Sequence, residues 1–325
     1  MTIAIPIAPC LASPWRRHLA ALAFVVFTIL LLFRADVARL VEIWCVGDAY
    51  GHCLLVGPIV AWLVWQRRSG LAQLTPVAWT PALALVSVGG VGWLLGEVAS
   101  ANFAQQLGLV LMLEGAAMTL LGPQVVRALI FPLAYALFLV PFGQWLEPPL
   151  QHMTLAIVMP LLALVDVPAA SNGMVIHAGR YWFEVAEACS GAKFVLAMVV
   201  LGTLVLHLGF TSWRRRVVFM IAALVAPVLT NGLRAFLSIW SANLTTIDAV
   251  LGPTHLLAGW ALFAGMLAGL FALAWPNFDR APDAPAFDPA ALRRPPASMA
   301  LAPAALLVLA VIVVFPVSAW VLAAA

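Results

Sequence analysis

The sequence predicts an all-α polytopic integral membrane protein, a bundle of about nine transmembrane helices with a short β-hairpin before the sixth. Three observations lead there. Only 9% of the 325 residues are charged and 65% are apolar, whereas a soluble globule carries about 25% charged residues. Apolar runs close to the ~20 residues needed to cross a bilayer recur along the whole length. The mean hydropathy is +1.07. The runs are too long and too rich in Leu and Ala for barrel strands, and lipid admits only helices and closed barrels because every backbone polar group must be satisfied internally.

The expected spans are residues 18–33, 54–65 (lengthened at either end), 81–97, 103–121, 128–142, 192–208, 217–240, 255–275 and 300–322. The segment before them, Met1 to Pro14, lacks a basic n-region and holds Pro6, Pro9 and Pro14, so it reads as a short tail with no cleavable signal peptide. With the N-terminus in the cytoplasm, eleven of the sixteen basic residues fall inside: Arg16, Arg17, Arg67, Arg68, Arg127, Arg214, Arg215, Arg216, Arg280, Arg293 and Arg294. That bias satisfies the positive-inside rule. Residues 149–165 are apolar enough to tempt a tenth crossing but contain Gln151, His152 and Pro160 and stop at Asp166. A crossing there would put Arg214, Arg215 and Arg216 outside, so the segment reads as an outer-face, partly interfacial helix.

After it, Met174-Val175-Ile176 and Tyr181-Trp182-Phe183 flank the turn His177-Ala178-Gly179-Arg180, a hairpin that delivers the chain to Cys189. Asp279 to Pro296, with five prolines and charges of both signs, reads as a flexible cytoplasmic linker. The organisation expected is a membrane-embedded catalytic domain over 1–276, a Pro-rich linker over 277–299 and a last transmembrane helix over 300–325. The net charge of +3 forms no basic patch, so nothing points to nucleic acid. Cys10, Cys45, Cys53 and Cys189 have no metal-ligand spacing, and no metal or cofactor is expected. Cys45 and Cys53 share one outer loop, where they could pair.

The chemistry-bearing residues converge on one face. Cys189 precedes the sixth span, Arg234 falls late in the seventh, and His255 opens the eighth. A thiol, a guanidinium and an imidazole at one depth are the parts of a cysteine acyl-transfer site. Cys189 would stand at the positive end of the sixth helix; alone, it could equally be a small packing residue. An Arg within a span costs roughly 2.5–3.5 kcal/mol on insertion scales and marks a functional site by default. Its other reading is snorkelling past Trp240, about 9–10 Å away at helical rise. Asn231, three residues earlier, shares its helix face.

For the imidazole, His255 has Gly259 one turn below, where another helix can approach, while His52 in Asp48-Ala49-Tyr50-Gly51-His52 is the rival on the same side. Glu187 could orient the histidine or cap the hairpin, and Ser190 as nucleophile has no separate base. Glu114, mid-span, needs a partner such as Gln105 or Gln106, or marks a transport path. Three function classes follow: a membrane cysteine protease or transpeptidase, a transporter or flippase for an envelope polysaccharide intermediate, and a non-catalytic assembly scaffold.

Glu187-Ala188-Cys189-Ser190-Gly191, then Asn231-Gly232-Leu233-Arg234, then His255 with Gly259-Trp260 resemble the exosortase/archaeosortase family, closest to the exosortase A branch. The resemblance runs from about Trp44 to Trp275, and the loop from Asp48 to His52 shares it. Branch members usually carry Asp before the histidine, where this chain has Thr254, and Ile-Arg after Ser-Gly, where it has Ala192-Lys193. The resemblance implies a cysteine transpeptidase with Cys189 as nucleophile, Arg234 as oxyanion or substrate stabiliser and His255 as acid/base, working without a cofactor. Glu187, Ser190, Gly191, Asn231, Gly259, Trp260 and His52 would support them. It implies substrates with a C-terminal Pro-Glu-Pro motif, a transmembrane helix and a basic tail. They would be processed at the periplasmic face of a bacterial inner membrane, alongside exopolysaccharide machinery.

Overall fold

Sequence hydropathy becomes helix almost throughout the computed structural model, which describes residues 14–47, 49–246, 253–281, 285–292 and 299–324, the side chains of residues 188 and 253–256 excepted. In chain order the helices are α1 (Pro14–Leu32), α2 (Arg34–Val46), α3 (Cys53–Gln66), α4 (Arg68–Leu71), α5 (Leu83–Val98) and α6 (Asn102–Ala128), followed by α7 (Ile130–Ala136), α8 (Glu147–Leu164), α9 (Ala192–Gly209), α10 (Trp213–Leu244), α11 (Pro253–Ala274) and α12 (Leu301–Ala324). Between α8 and α9 lies an antiparallel sheet of three strands, β1 (Ala169–Asn172), β2 (Val175–Ala178) and β3 (Tyr181–Glu184), in the order β1-β2-β3.

Among the described residues, seven helices are long and apolar enough to cross a membrane, or eight if one bent pair is a single span. The protein is a polytopic all-α membrane protein, and its differences from the sequence expectation have local causes. Residues 54–65 are lengthened by only one residue at each end: α3 has 14 residues, closed off by turns at Tyr50–His52 and at Arg67. Residues 128–142 form only the short α7 and a 3₁₀ turn, then bend by 70° into α8. The break holds Pro141 and Gly143, the latter at φ 95, and proline cannot continue the helical hydrogen-bond ladder. The hairpin is present, with β1 added on its outer edge. His177 stands in β2 instead of the turn and lays its ring 4.4 Å from that of its cross-strand partner Trp182; the turn itself is tighter, at Gly179 and Arg180, with Gly179 at φ 61.

The chain forms two compact units. The first comprises residues 1–46, 53–141 and 285–325. Its core joins Val25 and Ile29 of α1, Val86 and Trp93 of α5, Leu109, Met112 and Leu120 of α6, and Val308 and Ile312 of α12. α5 and α6 touch backbone to backbone: a Cβ on Gly89 would lie 2.7 Å from Gly108 O and 2.8 Å from Met112 N. Small residues permit that approach between membrane helices. The buried Asp36 is satisfied by Arg39 at 2.7 Å and by Trp93 Nε1 at 3.0 Å. Gln105 donates to Glu97 at 3.0 Å and is not the partner suggested for Glu114, whose buried Oε1 has none. Cys45 is exposed, Cys53 is buried and both are free thiols, so the two are not paired; Cys10 lies outside the described residues.

The second unit comprises residues 47–52 and 142–284. Here α10 packs against α8, α9 and α11. The sheet rests on α8 and α10 through Ile176, Val158, Leu162, Phe236 and Ile239. Phe278, past the end of α11, packs with Phe210 and Phe219, and Asp279 accepts the Thr211 and Ser212 N–H groups at 2.6 and 3.2 Å. Those bonds, the Thr211 N–H foremost, hold the Asp279 carboxyl below its usual range.

Candidate active site

β3 ends at Glu184, and the next carbonyl, Val185 O, accepts Gln151 Nε2 of α8 at 2.8 Å. A single 3₁₀ turn, Glu187–Cys189, follows, closed by Cys189 N–H to Ala186 O at 2.8 Å. Gly191 then reverses the chain at φ 82 and α9 starts at Ala192. Glycine is required here twice over. Its φ is positive, and a Cβ would lie 2.7 Å from Asn231 Cγ and 2.8 Å from Asn231 Cβ.

Asn231 of α10 is 1% exposed and organises this junction. Its Nδ2 donates to Cys189 O at 2.8 Å and to Thr154 Oγ1 at 3.0 Å. The carbonyl acceptor fixes which end of the amide is nitrogen. Thr154 in turn donates to Leu150 O at 2.9 Å. A chain of hydrogen bonds therefore ties α8, α10 and the cysteine turn together, and it uses both amide protons of Asn231. Asn231 Oδ1 is buried without a partner.

One turn along α10 stands Arg234, half-buried. Its guanidinium carbon lies 5.8 Å from the centre of the Phe194 ring of α9, a cation–π distance. Its Nε is buried and has no partner among the described residues. A methyl on Gly259 of α11 would touch Arg234 Cδ and Nη1 at 3.4 Å, so the arginine lies directly against that glycine. Phe194 also stacks on Phe263 of α11, with centroids 4.6 Å apart. Three helices thus meet around the first turn of α9.

The structure brings Cys189, Gly191, Asn231, Arg234 and Gly259 into this one cluster. Ser190 is 2% exposed and its Oγ accepts the Ala192 N–H at 3.2 Å, a local bond across Gly191. Glu187 is exposed, and the Trp260 ring is 62% exposed. His255 belongs to the first turn of α11, four residues before Gly259; its side chain and that of Thr254 lie outside the described residues, as does Asp48. His52 is half-buried beside Tyr50, ring centres 6.4 Å apart. Burial holds its imidazole below the usual value, partly offset by a hydrogen bond to the Ala49 backbone.

Sequence reasoning missed Thr154, Phe194 and Phe263. Thr154 had a readable signal, since it follows Gln151 by three residues on one face of an otherwise apolar helix. The two phenylalanines had none, being indistinguishable from lipid-facing aromatics.

With this geometry in view, the family model for transmembrane exosortase matches residues 44–272. The chain belongs to the transmembrane exosortase family. Neither a curated protein nor a solved structure matches it. The matched span contains the Tyr50 loop, α8, the sheet, α9, α10 and α11 as far as residue 272, and with them Cys189, Gly191, Asn231, Arg234 and Gly259.

Proposed function

We propose that this exosortase is a cysteine transpeptidase or protease of the A branch whose nucleophile is Cys189. One observation carries the reading: the amide of Asn231 grips the cysteine's own carbonyl while Arg234, one turn on, presents a buried, unpartnered Nε. An unsatisfied buried donor costs about 1–3 kcal/mol, so its persistence calls for a ligand. The substrate would enter from the bilayer, its transmembrane helix beside α9 to α11. Its Pro-Glu-Pro motif would lie at the periplasmic face of a bacterial inner membrane, in a cell that exports exopolysaccharide.

Cys189 Sγ attacks the scissile carbonyl. His255 takes the thiol proton and returns it to the leaving amine as the C–N bond breaks. Arg234 donates to the tetrahedral oxyanion, where a preorganised donor is worth about 2.7–4 kcal/mol. The thioester left on Cys189 is released by water or by an acceptor amine. His52 is the second candidate for the base, and its lowered pKa suits a neutral imidazole.

Co-expression with a protein carrying the sorting signal tests the assignment. Cys189→Ala should leave the substrate full length, and so should His255→Ala, whereas His52→Ala should not. Normal processing by Cys189→Ala overturns the nucleophile. The transporter reading draws on one observation, the unpartnered carboxyl of Glu114. Thiol reagents separate the two: labelling of Cys189 stops an enzyme and leaves a transporter running.

A further inference from the structure

At the end of α10 and α11 remote from Arg234 and Gly259, the second unit holds a groove of about 390 Å³. Its walls are Phe219, Ala222, Leu270, Leu273 and Ala274, and Arg214 and Arg215 stand at its mouth. Arg214 and Arg234 are twenty residues apart on one helix, about 30 Å at helical rise, the thickness of the hydrocarbon core. Trp213 and Trp275, the chain neighbours of the lining residues Arg214 and Ala274, are 75% and 72% exposed, as tryptophans are at the headgroup level. The groove therefore opens at a membrane–water boundary.

The charges at the mouth are not equivalent. Arg215 donates to Asn277 O at 2.7 Å and lies 3.8 Å from Asp279. Arg216 holds Phe210 O by two hydrogen bonds. Arg214 is exposed, and among the described residues it has neither a hydrogen-bond nor an ion-pair partner. Asp279, the nearby carboxylate, is already occupied by two backbone N–H groups.

We infer that this groove is a binding site for an anionic phospholipid, its acyl chain between α10 and α11 and its phosphate on Arg214. An apolar wall 76% exposed at Leu273 suits a chain. An unpaired guanidinium at headgroup depth suits an anionic head, and basic pockets between membrane helices bind such heads. A bound lipid would bridge the start of α10 to the end of α11, the two helices that carry Arg234 and Gly259.

Native mass spectrometry of the full chain, released from discs of phosphatidylcholine with an equal share of phosphatidylglycerol, reads the preference directly. The expected result is selective retention of phosphatidylglycerol. Arg214→Gln should reduce that preference by about fivefold, the worth of one basic residue at a membrane surface, and Arg214→Lys should keep most of it. Leu273→Ser should weaken retention with the charges intact, and millimolar inorganic phosphate should not displace the lipid. Equal retention of both lipids overturns the site. So does a preference unchanged in Arg214→Gln. Displacement by phosphate, with Leu273→Ser unchanged, marks a simple anion site and overturns it too.

Discussion

The two units solve the same packing problem with different chemistry. In the first, α5 and α6 close on each other through glycines, and the buried Asp36 is matched by Arg39 and Trp93. In the second, α10 meets α8 and the cysteine turn through an amide that spends both of its protons and leaves its oxygen unmatched. Asn231 Oδ1 and Arg234 Nε are both unpartnered, within one turn of each other. A scaffold satisfies its buried polar atoms; a site keeps some open for the molecule it acts on. The difference is one of grouping: Glu114 of the first unit also has a buried carboxyl oxygen with no partner among the described residues, in a helix that otherwise reads as framework, whereas the two open atoms of the second unit stand together.

The contrast predicts which substitutions damage chemistry and which damage the fold. Short of removing the thiol or the His255 imidazole, Arg234→Ala should give the largest loss of processing, about 10²–10³-fold, the range for deleting an oxyanion donor. The protein should still be recovered from the membrane in normal amount. Arg234→Lys should fail as well, because an ammonium lacks the planar guanidinium fork; substrate turnover on immunoblots reads both.

Gly108→Leu should do the opposite. A side chain there must part α5 from α6, since even a Cβ would lie 2.7 Å from Trp93 N. Overpacking of this kind typically costs about 1–3 kcal/mol, visible as a lower unfolding temperature in detergent. The residual folded fraction should process substrate at a normal rate per molecule.

Asn231→Ala should fall between, because this side chain belongs to both the packing and the site. It strips a partner from Cys189 O and from Thr154, at about 1–3 kcal/mol. The rate of processing should fall more than the affinity for substrate, as the thiol turn loses its anchor. Thr154→Val should lower stability by about 1–3 kcal/mol, because it removes two hydrogen bonds and leaves a buried N–H of Asn231 unmatched, and Thr154→Ser should restore it.

The smallest effect concerns pH. Burial lowers the His52 pKa from its ordinary 6.5, so below that pH the unfolded chain binds the proton more readily than the folded protein does. The stability from the neutral ring is complete above pH 6.5 and is lost as pH falls through the lowered value. The unfolding temperature of the native protein should therefore drop more between pH 6.5 and 5 than that of His52→Gln. Equal slopes would mean the imidazole is not buried.

The sequence by itself determined the membrane class and most of the helices, and it singled out the candidate site residues. Hydropathy writes a long span as an unbroken apolar run. The residue types of a cysteine site stand out from an apolar background because charge and thiol are rare there. Only the tertiary structure decided which atoms of those residues meet. That Asn231 grips the carbonyl of Cys189, that Thr154 backs it, and that Arg234 lies against Gly259 and Phe194 depend on how α8, α9, α10 and α11 cross. The bend between α7 and α8 and the third strand of the sheet were equally out of reach. Local propensity is a property of neighbours in the chain, whereas a hydrogen bond spanning 77 residues is a property of packing alone.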